Sequence, residues 1–356
     1  MPYNTKKNFG NRNKHRDSRI SVRSLTYFRV SLKYMVFCFS WRSRVNPIEL
    51  KNVRKVFSHP MKVWSKIESV KDLSFSMKQG EIIGFVGHNG AGKTTTIKMI
   101  MGFIKPTSGE ISVFGKKPGD RDVKGKIGFL PERPYFYSEL TAMEVLKYFG
   151  RLSGINGRIL TDKAENVLKK VGLFEDRNRK LASYSKGMLQ RIGLAQAIIH
   201  DPELVIMDEP MSGLDPIGRK EVKDIIRGLK KDGKSVIFSS HILSDIENLS
   251  DRVLIIEHGK LKSFGTLHEI IRPEDVRYSI EFTCDKNMRD AVFSLFGGVR
   301  LVSDRFVLDC TDIRDFNAKL SEVVAKGYTV FNANGSYPSL EEVVFKDIQE
   351  EENEQR

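Results

Sequence analysis

Nine consecutive residues, Gly87-His88-Asn89-Gly90-Ala91-Gly92-Lys93-Thr94-Thr95, constrain this chain more than any other stretch. An apolar run, Ile82-Ile83-Gly84-Phe85-Val86, precedes them, and Thr96 to Met101 follows with helical character. Strand, glycine loop and helix in that order, with G-x-x-x-x-G-K-[ST] spacing, read as a phosphate-binding loop. Glycines let successive backbone N–H groups turn inward around a polyphosphate, and the helix N-terminus adds partial positive charge. Lys93 then reaches the β- and γ-phosphates, and the Thr94 hydroxyl is placed to ligate Mg²⁺. Alone, the pattern also fits a glycine turn between a core strand and a core helix. The remainder of the chain must supply the other parts of a nucleotide site.

With 356 residues there is room for two domains with sizeable cores. The net charge of +14 resembles a nucleic-acid signal, but residues 1–44 hold eleven Lys/Arg against the single acid Asp17, leaving +4 for the rest. The body is therefore nearly balanced, and no nucleic-acid partner is expected. Residues 1–46 read as a basic, disordered extension or an over-long start, with folded structure beginning naturally near Val45. No signal-peptide core with a cleavage site is present there. Cys38, Cys284 and Cys310 are odd in number and widely spaced, which argues against a disulfide framework and suits a reducing compartment. No apolar run approaches the ~20 residues of a membrane-spanning helix. A membrane role would require a partner.

From Ile48 the pattern becomes ordered. Ile48–Val53 and Val70–Met77 alternate as strands around a polar stretch, Ser58 to Lys66. Gly109–Phe114 and Ile127–Leu130 read as short strands, the second ending at Pro131-Glu132. Helical periodicity runs from Thr141 to about Leu181, with Val145, Leu146, Phe149 and Leu152, then Val167, Leu168, Val171 and Leu173. Two apolar strands end in polar residues: Leu204–Met207 stops at Asp208-Glu209, and Ser235–Phe238 stops at Ser239-Ser240-His241. Runs this apolar suit parallel strands buried on both faces. In open α/β sheets a ligand sits beyond the carboxyl ends of the strands. The loop, two acids and a histidine thus come to one edge.

The ordered set of phosphate loop, Ser185-Lys186-Gly187-Met188, Asp208-Glu209-Pro210, Ser212-Gly213-Leu214-Asp215 and His241 resembles the ATP-binding cassette (ABC) ATPases, over about residues 48–270. Within them it looks most like the single-cassette ATP-binding subunits of exporters. The resemblance implies ATP and Mg²⁺ as cofactors, with residues 87–95 as the cradle. It implies that Asp208, directly or through water, and Thr94 hold the metal, that Glu209 polarises the attacking water, and that His241 contacts the γ-phosphate alongside Lys93. One carboxylate on the metal cannot also accept a proton freely, so hydrolysis calls for the second acid.

Tyr184-Ser185-Lys186-Gly187-Met188 stands where the family has L-S-G-G-Q, keeping Ser185 and Gly187. A hydroxyl, backbone amides and the N-terminus of a helix over Met188–Ile199 can still face a γ-phosphate, while Ser185 is equally suited to a plain helix cap. In the family this motif serves the opposite subunit, which implies a homodimer or pairing with a second ATPase subunit. Asp215 and Ser212 match the loop that links the two halves. Glu132 occupies the place of the family's Q-loop glutamine, where an acid could bind metal or water. Phe57 aligns best with the adenine-stacking aromatic, with Trp64 as its rival. Tyr135-Phe136-Tyr137 lies where the cassette forms a groove for a membrane subunit, although core packing of one or two of these rings is an equal alternative.

After about Arg272 the motifs stop. Val276–Phe282 alternates as a strand, followed by a helix (Asn287–Phe296), a hairpin (Val299–Val302 and Arg305–Cys310), a helix (Ile313–Ala325) and a strand (Tyr328–Phe331). This β-α-β-β-α-β order reads as a ferredoxin-like unit, with a last helix, Leu340–Ile348, packing back on it. Its role is open among regulation, dimer contact and a stability cap. The expected fold is thus an α/β P-loop NTPase with an antiparallel β subdomain and a helical insertion (about 132–190) in a cassette spanning 48–271. A small α+β domain (273–349) and an acidic tail (350–356) follow. The function implied is an ATP-hydrolysing ABC transporter subunit, held at the inner face of the membrane by a separate transmembrane permease. A soluble ABC ATPase acting on nucleic acid or ribosomes is the alternative.

Overall fold

A computed structural model describes residues 45–58, 66–271 and 276–342. The basic extension, Trp64, Cys38 and the acidic tail lie outside the described residues.

The N-terminal part builds two sheets. Strands β1 (Ile48–Ser58), β2 (Lys66–Met77) and, after β3 (Ile82–Val86) and α1 (Lys93–Ile100), β4 (Ser108–Val113) form an antiparallel sheet in the order β2-β1-β4. Both β1 and β2 run beyond the alternating segments: the polar residues near Ser58 and Lys66 stay paired (Ser58↔Lys66) although irregularities in register interrupt the ladder between Leu50 and Val56. The bulges let polar residues remain in a hairpin whose alternation has been lost.

Strand β3 (Ile82–Val86) feeds helix α1 (Lys93–Ile100), which starts at Lys93 rather than at Thr96, because Gly92 at φ 107° turns the chain directly into the first helical residue. Helix α2 (Arg121–Lys124) precedes β5 (Ile127–Leu130). Helices α3 (Ala142–Leu152) and α4 (Gly157–Lys170) make up the expected helical region. A reciprocal capping box starts α3: the Thr141 N–H donates to Glu144 Oε2 at 2.8 Å, and the Glu144 N–H donates to Thr141 Oγ1 at 3.2 Å. Helix α5 (Lys186–Ile198) then leads to β6 (Leu204–Met207), α6 (Pro216–Lys231), β7 (Ser235–Ser240), α7 (Leu243–Leu249), β8 (Arg252–Glu257), β9 (Lys260–Gly265) and α8 (Leu267–Ile270).

The main sheet has the order β5-β6-β7-β3-β8-β9, parallel except for β9. Its parallel strands are largely buried on both faces. Val205, Met207, Val236 and Phe238 join one core with α3 to α7, whereas Leu204, Ile206, Ile237 and Phe85 join a second with α1 and the antiparallel sheet. That two-sided burial is why these strands read as continuous apolar runs.

Beyond residue 275, β10 (Arg277–Thr283), α9 (Arg289–Leu295), β11 (Arg300–Val302), β12 (Arg305–Cys310), α10 (Ile313–Ala325) and β13 (Thr329–Ser336) follow in the β-α-β-β-α-β order. The sheet order is β11-β12-β10-β13. The final strand is longer than expected, because pairing with β10 carries the ladder to Arg277↔Ser336 through a polar stretch. Leu340 does not return to this sheet. It is buried in the core beneath the main sheet, and its N–H bonds the Glu247 carboxylate on α7. Glu341 and Glu342 continue the helical turn begun at Leu340, and residues 343–348 of that expected helix lie outside the described residues.

Two contacts behind β5 make the fold testable. A Cβ on Gly128 would meet the Ala197 carbonyl oxygen at 2.1 Å, so β5 and α5 approach as only glycine permits. Gly128→Ala should cost about 1–3 kcal/mol by overpacking, read as a lowered Tm; an unchanged Tm would contradict this packing. His200 Nε2–H donates to the Ile127 carbonyl at 3.0 Å, and burial lowers its pKa below the ordinary 6.5. The folded state thus favours the neutral ring. Its stabilising contribution is complete above the unfolded pKa and is lost as pH falls through the folded value. His200→Gln should therefore lose less stability than wild type between pH 7 and pH 5 in urea titrations.

Candidate functional site

The carboxyl ends of β3, β6 and β7 bring the sequence motifs together. Gly92 lies at φ 107°, and a Cβ there would approach the Ser69 carbonyl oxygen at 2.5 Å. Gly87 is similarly pressed against the Ile256 carbonyl, at 2.7 Å. The loop is therefore held between β2 and β8 by contacts that exclude side chains at these positions. The turn after β8 supports it further: the Gly259 N–H donates to the Ala91 carbonyl at 3.1 Å, and the rings of His88 and His258 lie 5.0 Å apart. Thr95 Oγ1 accepts a hydrogen bond from Ser69 Oγ at 2.9 Å.

Lys93 is buried, and its ammonium donates to the carbonyls of Gly87 (2.6 Å) and His88 (3.3 Å) across its own loop. Glu209 Oε1 stands 3.9 Å from the same ammonium, and Glu209 Oε2 lies 2.7 Å from His241 Nδ1. Thr94 Oγ1 donates to Asp208 Oδ2 at 3.0 Å. Lys93, Thr94, Asp208 and Glu209, with Ser69 and Glu132, line a cleft of about 200 Å³, and His241 reaches Glu209 from outside that lining. Loop, acids and histidine thus share one edge, as expected. Glu132 is half exposed in that cleft and has Arg133 at 3.7 Å.

Ser185 and Gly187 are not among the residues lining the cleft. Ser185 caps α5, accepting from the Met188 N–H at 3.3 Å, so the helix begins at Lys186 rather than at Met188. Tyr184 is buried, with its hydroxyl donating to the Asp176 carbonyl at 2.8 Å, which explains an aromatic at the head of this motif. The Lys186 ammonium lies over Gly213 at φ 64°, so close that a Cβ there would stand 2.0 Å from it. The two motifs therefore touch within one chain. Asp215 caps α6 through the Gly218 N–H at 2.9 Å.

Phe57 is not among the residues of the cleft. It lies near the end of β1, partly exposed, with the Lys55 ammonium 4.9 Å from its ring centre. Of the aromatic triplet, Phe136 packs on the core beside Phe149, while Tyr135 and Tyr137 are exposed.

Sequence reasoning gave no role to Ser239. Its hydroxyl donates to Asp208 Oδ1 at 2.7 Å and accepts the Glu209 N–H at 2.8 Å. Glu209 has φ 48°, in the left-handed region that non-glycine residues seldom occupy. A polar residue ending an apolar, doubly covered strand was the available signal.

With this geometry in view, similarity to known proteins becomes informative. Residues 70–212 match the ABC transporter family. The chain is 39% identical to the uncharacterized ABC transporter ATP-binding protein YxlF of Bacillus subtilis over 282 residues, covering 78% of this chain and 94% of that protein. It is 47% identical to the bacitracin transport ATP-binding protein BcrA of Bacillus licheniformis over 203 residues, 56% of this chain and 65% of BcrA. Among solved structures it resembles a dimeric, post-hydrolysis form of the ATP-binding cassette MJ0796 bound to ADP and Pi. The TM-score is 0.56 and the identity 25%, covering 62% of this chain and 99% of that one. The chain belongs to the ABC transporter ATP-binding proteins and has the fold of their ATPase cassette.

Because a methyl at Gly92 would strike the Ser69 carbonyl, Gly92→Ala should distort the loop and weaken ATP binding by at least about tenfold, or 1.4 kcal/mol. Equilibrium titration with a fluorescent ATP analogue measures this, and wild-type affinity would refute the packing argument.

Proposed function

We propose that this protein is the ATP-binding and hydrolysing subunit of an exporter, working as a dimer around two ATP molecules and driving a separate transmembrane permease. One observation carries the reading: Lys93, Thr94, Asp208 and Glu209 converge on a single cleft, and His241 reaches Glu209 from the adjoining strand end. Residues 87–95 would bind the phosphates through backbone N–H groups and Lys93. Glu209 would accept the proton of the attacking water, with His241 and Lys93 holding its carboxylate. Phe57 is the proposed adenine platform.

Thr94 and Asp208 offer a hydroxyl and a carboxylate, 3.0 Å apart. Two hard oxygen donors fit a metal that keeps several waters and takes its remaining ligands from phosphates, as Mg²⁺ does. Glu132 is a candidate third oxygen donor in the cleft. Bound there, Mg²⁺ would neutralise charge on the β- and γ-phosphates.

Pairing of two cassettes is supported by the separation of Ser185 and Gly187 from the cleft of their own chain, and by the dimeric form of MJ0796. A role in transport is supported by the likeness to BcrA, whose name assigns it to bacitracin transport, and export is the direction proposed. No helix among the described residues is long and apolar enough to cross a membrane. The proposed site of action, by likeness to the family, is the inner membrane face, reached through a permease. Residues 48–271 would form the cassette, with about 132–190 as its helical insertion, and residues 273–349 an accessory domain.

Lys93→Ala should reduce ATP binding by at least about tenfold and turnover by at least about a hundredfold, since the buried ammonium has no replacement. Glu209→Gln should bind ATP within about threefold of wild type while turnover falls about a hundredfold or more. Phosphate release assayed beside ATP titration checks both. Wild-type turnover in Glu209→Gln would remove Glu209 as the base.

A further inference from the structure

Asp208 and Glu209 are adjacent carboxylates, yet the proposed chemistry requires one on the metal and the other on water. Something must keep them apart in function. Both residues meet at a single hydroxyl, that of Ser239, which is wholly buried at the end of β7. A hydroxyl has one proton to give and lone pairs to offer. Here the proton goes to Asp208 Oδ1 (2.7 Å) and a lone pair takes the Glu209 N–H (2.8 Å).

Each bond has a distinct consequence. Fixing Oδ1 leaves Asp208 facing Thr94 through Oδ2 alone, at 3.0 Å. Holding the Glu209 amide supports the residue's left-handed backbone, φ 48°, a conformation disfavoured for a side chain with a Cβ. From that backbone the Glu209 carboxylate reaches Lys93 and His241 rather than turning to the Thr94 side. Neighbouring Ser240 provides an internal contrast: its hydroxyl accepts the Ile242 N–H at 3.0 Å and serves its own turn.

We infer that Ser239 is a positioning residue that divides labour between the two acids, orienting Asp208 as a one-oxygen metal ligand and holding Glu209 away from the metal side. This rests on the proposed roles of Asp208 and Glu209. Loss of the hydroxyl strands Asp208 Oδ1 in a buried setting and releases the Glu209 amide. The Asp208 carboxylate is then free to rotate, and the Glu209 turn loses its clamp.

The test uses the full chain with Ser239→Ala, Ser239→Thr and Asp208→Asn. Mn²⁺ binding to the complex with a non-hydrolysable ATP analogue is followed by electron paramagnetic resonance, and nucleotide binding is also measured in EDTA. Removing a partner behind a metal ligand typically costs 10–100-fold in metal affinity or activity. Ser239→Ala should therefore weaken Mn²⁺ by about tenfold and lower kcat by about 10–100-fold, with KM for ATP and metal-free nucleotide binding changing less than about threefold. Ser239→Thr, which keeps the hydroxyl, should recover most of the metal affinity. A folded Ser239→Ala protein with wild-type Mn²⁺ affinity and kcat would overturn the inference. Should Ser239→Ala not fold, Ser239→Cys carries the same expectation, since a thiol is only a weak donor; wild-type metal affinity there would likewise overturn it. If Asp208→Asn weakens the metal and Ser239→Ala does not, only the Ser239 assignment is lost. If Asp208→Asn leaves Mn²⁺ binding unchanged, the reading of Asp208 itself fails and this inference falls with it.

Discussion

The hydrogen bond from Thr94, in the first turn of α1, to Asp208, just past β6, links the segments that follow two strands that are not neighbours, because β7 lies between β3 and β6. It forms only if three strand ends stand level. Their register sets that level: Met207 pairs with Phe238, and Val86 pairs with Ser240. One step beyond, Asp208 comes beside Ser239 and Gly87 beside His241. The end of β7 thus stands between the loop and the acids, and its residues touch both acids. The site depends on sheet register before it depends on any catalytic side chain, since a slip of one residue in β7 would part Ser239 from both acids.

Burial on both faces holds that register. Side chains from β3, β6 and β7 alternate between two cores, so no strand can shift without exchanging apolar groups between opposite sides. Close backbone approaches reinforce it, as where Gly92 meets Ser69 and Gly128 meets Ala197. The phosphate loop is therefore clamped from β2, β8 and the turn at Gly259, with little freedom to collapse into its own cleft. Lys93 meanwhile satisfies its charge on its own loop's carbonyls, and a polyphosphate would have to replace those contacts.

Much of this was legible in the sequence because it is local or periodic. The loop spacing, the apolar strands ending in Asp208 and His241, and the β-α-β-β-α-β order beyond residue 275 all follow from short-range pattern. What stayed hidden depends on pairing between distant segments. The hairpin extends through polar residues because β1 and β2 pair across bulges, which alternation cannot report. Ser239 gains its importance from Asp208, thirty-one residues away in sequence. Leu340 buries against the main core because the chain returns there after β13, although its neighbours in sequence gave it to the accessory sheet. The left-handed backbone of Glu209 leaves no trace in residue type at all.

The central claim is that this cleft is only half of a working site, with Ser185 and Gly187 presented to another chain. The protein-concentration dependence of ATP turnover tests it most directly. If two chains complete each site, activity per mole of protein should rise with concentration and level off once pairing is complete, and the Hill coefficient for ATP should exceed one. Constant activity per mole across a wide dilution series, in a protein that stays monomeric with ATP bound, would contradict it.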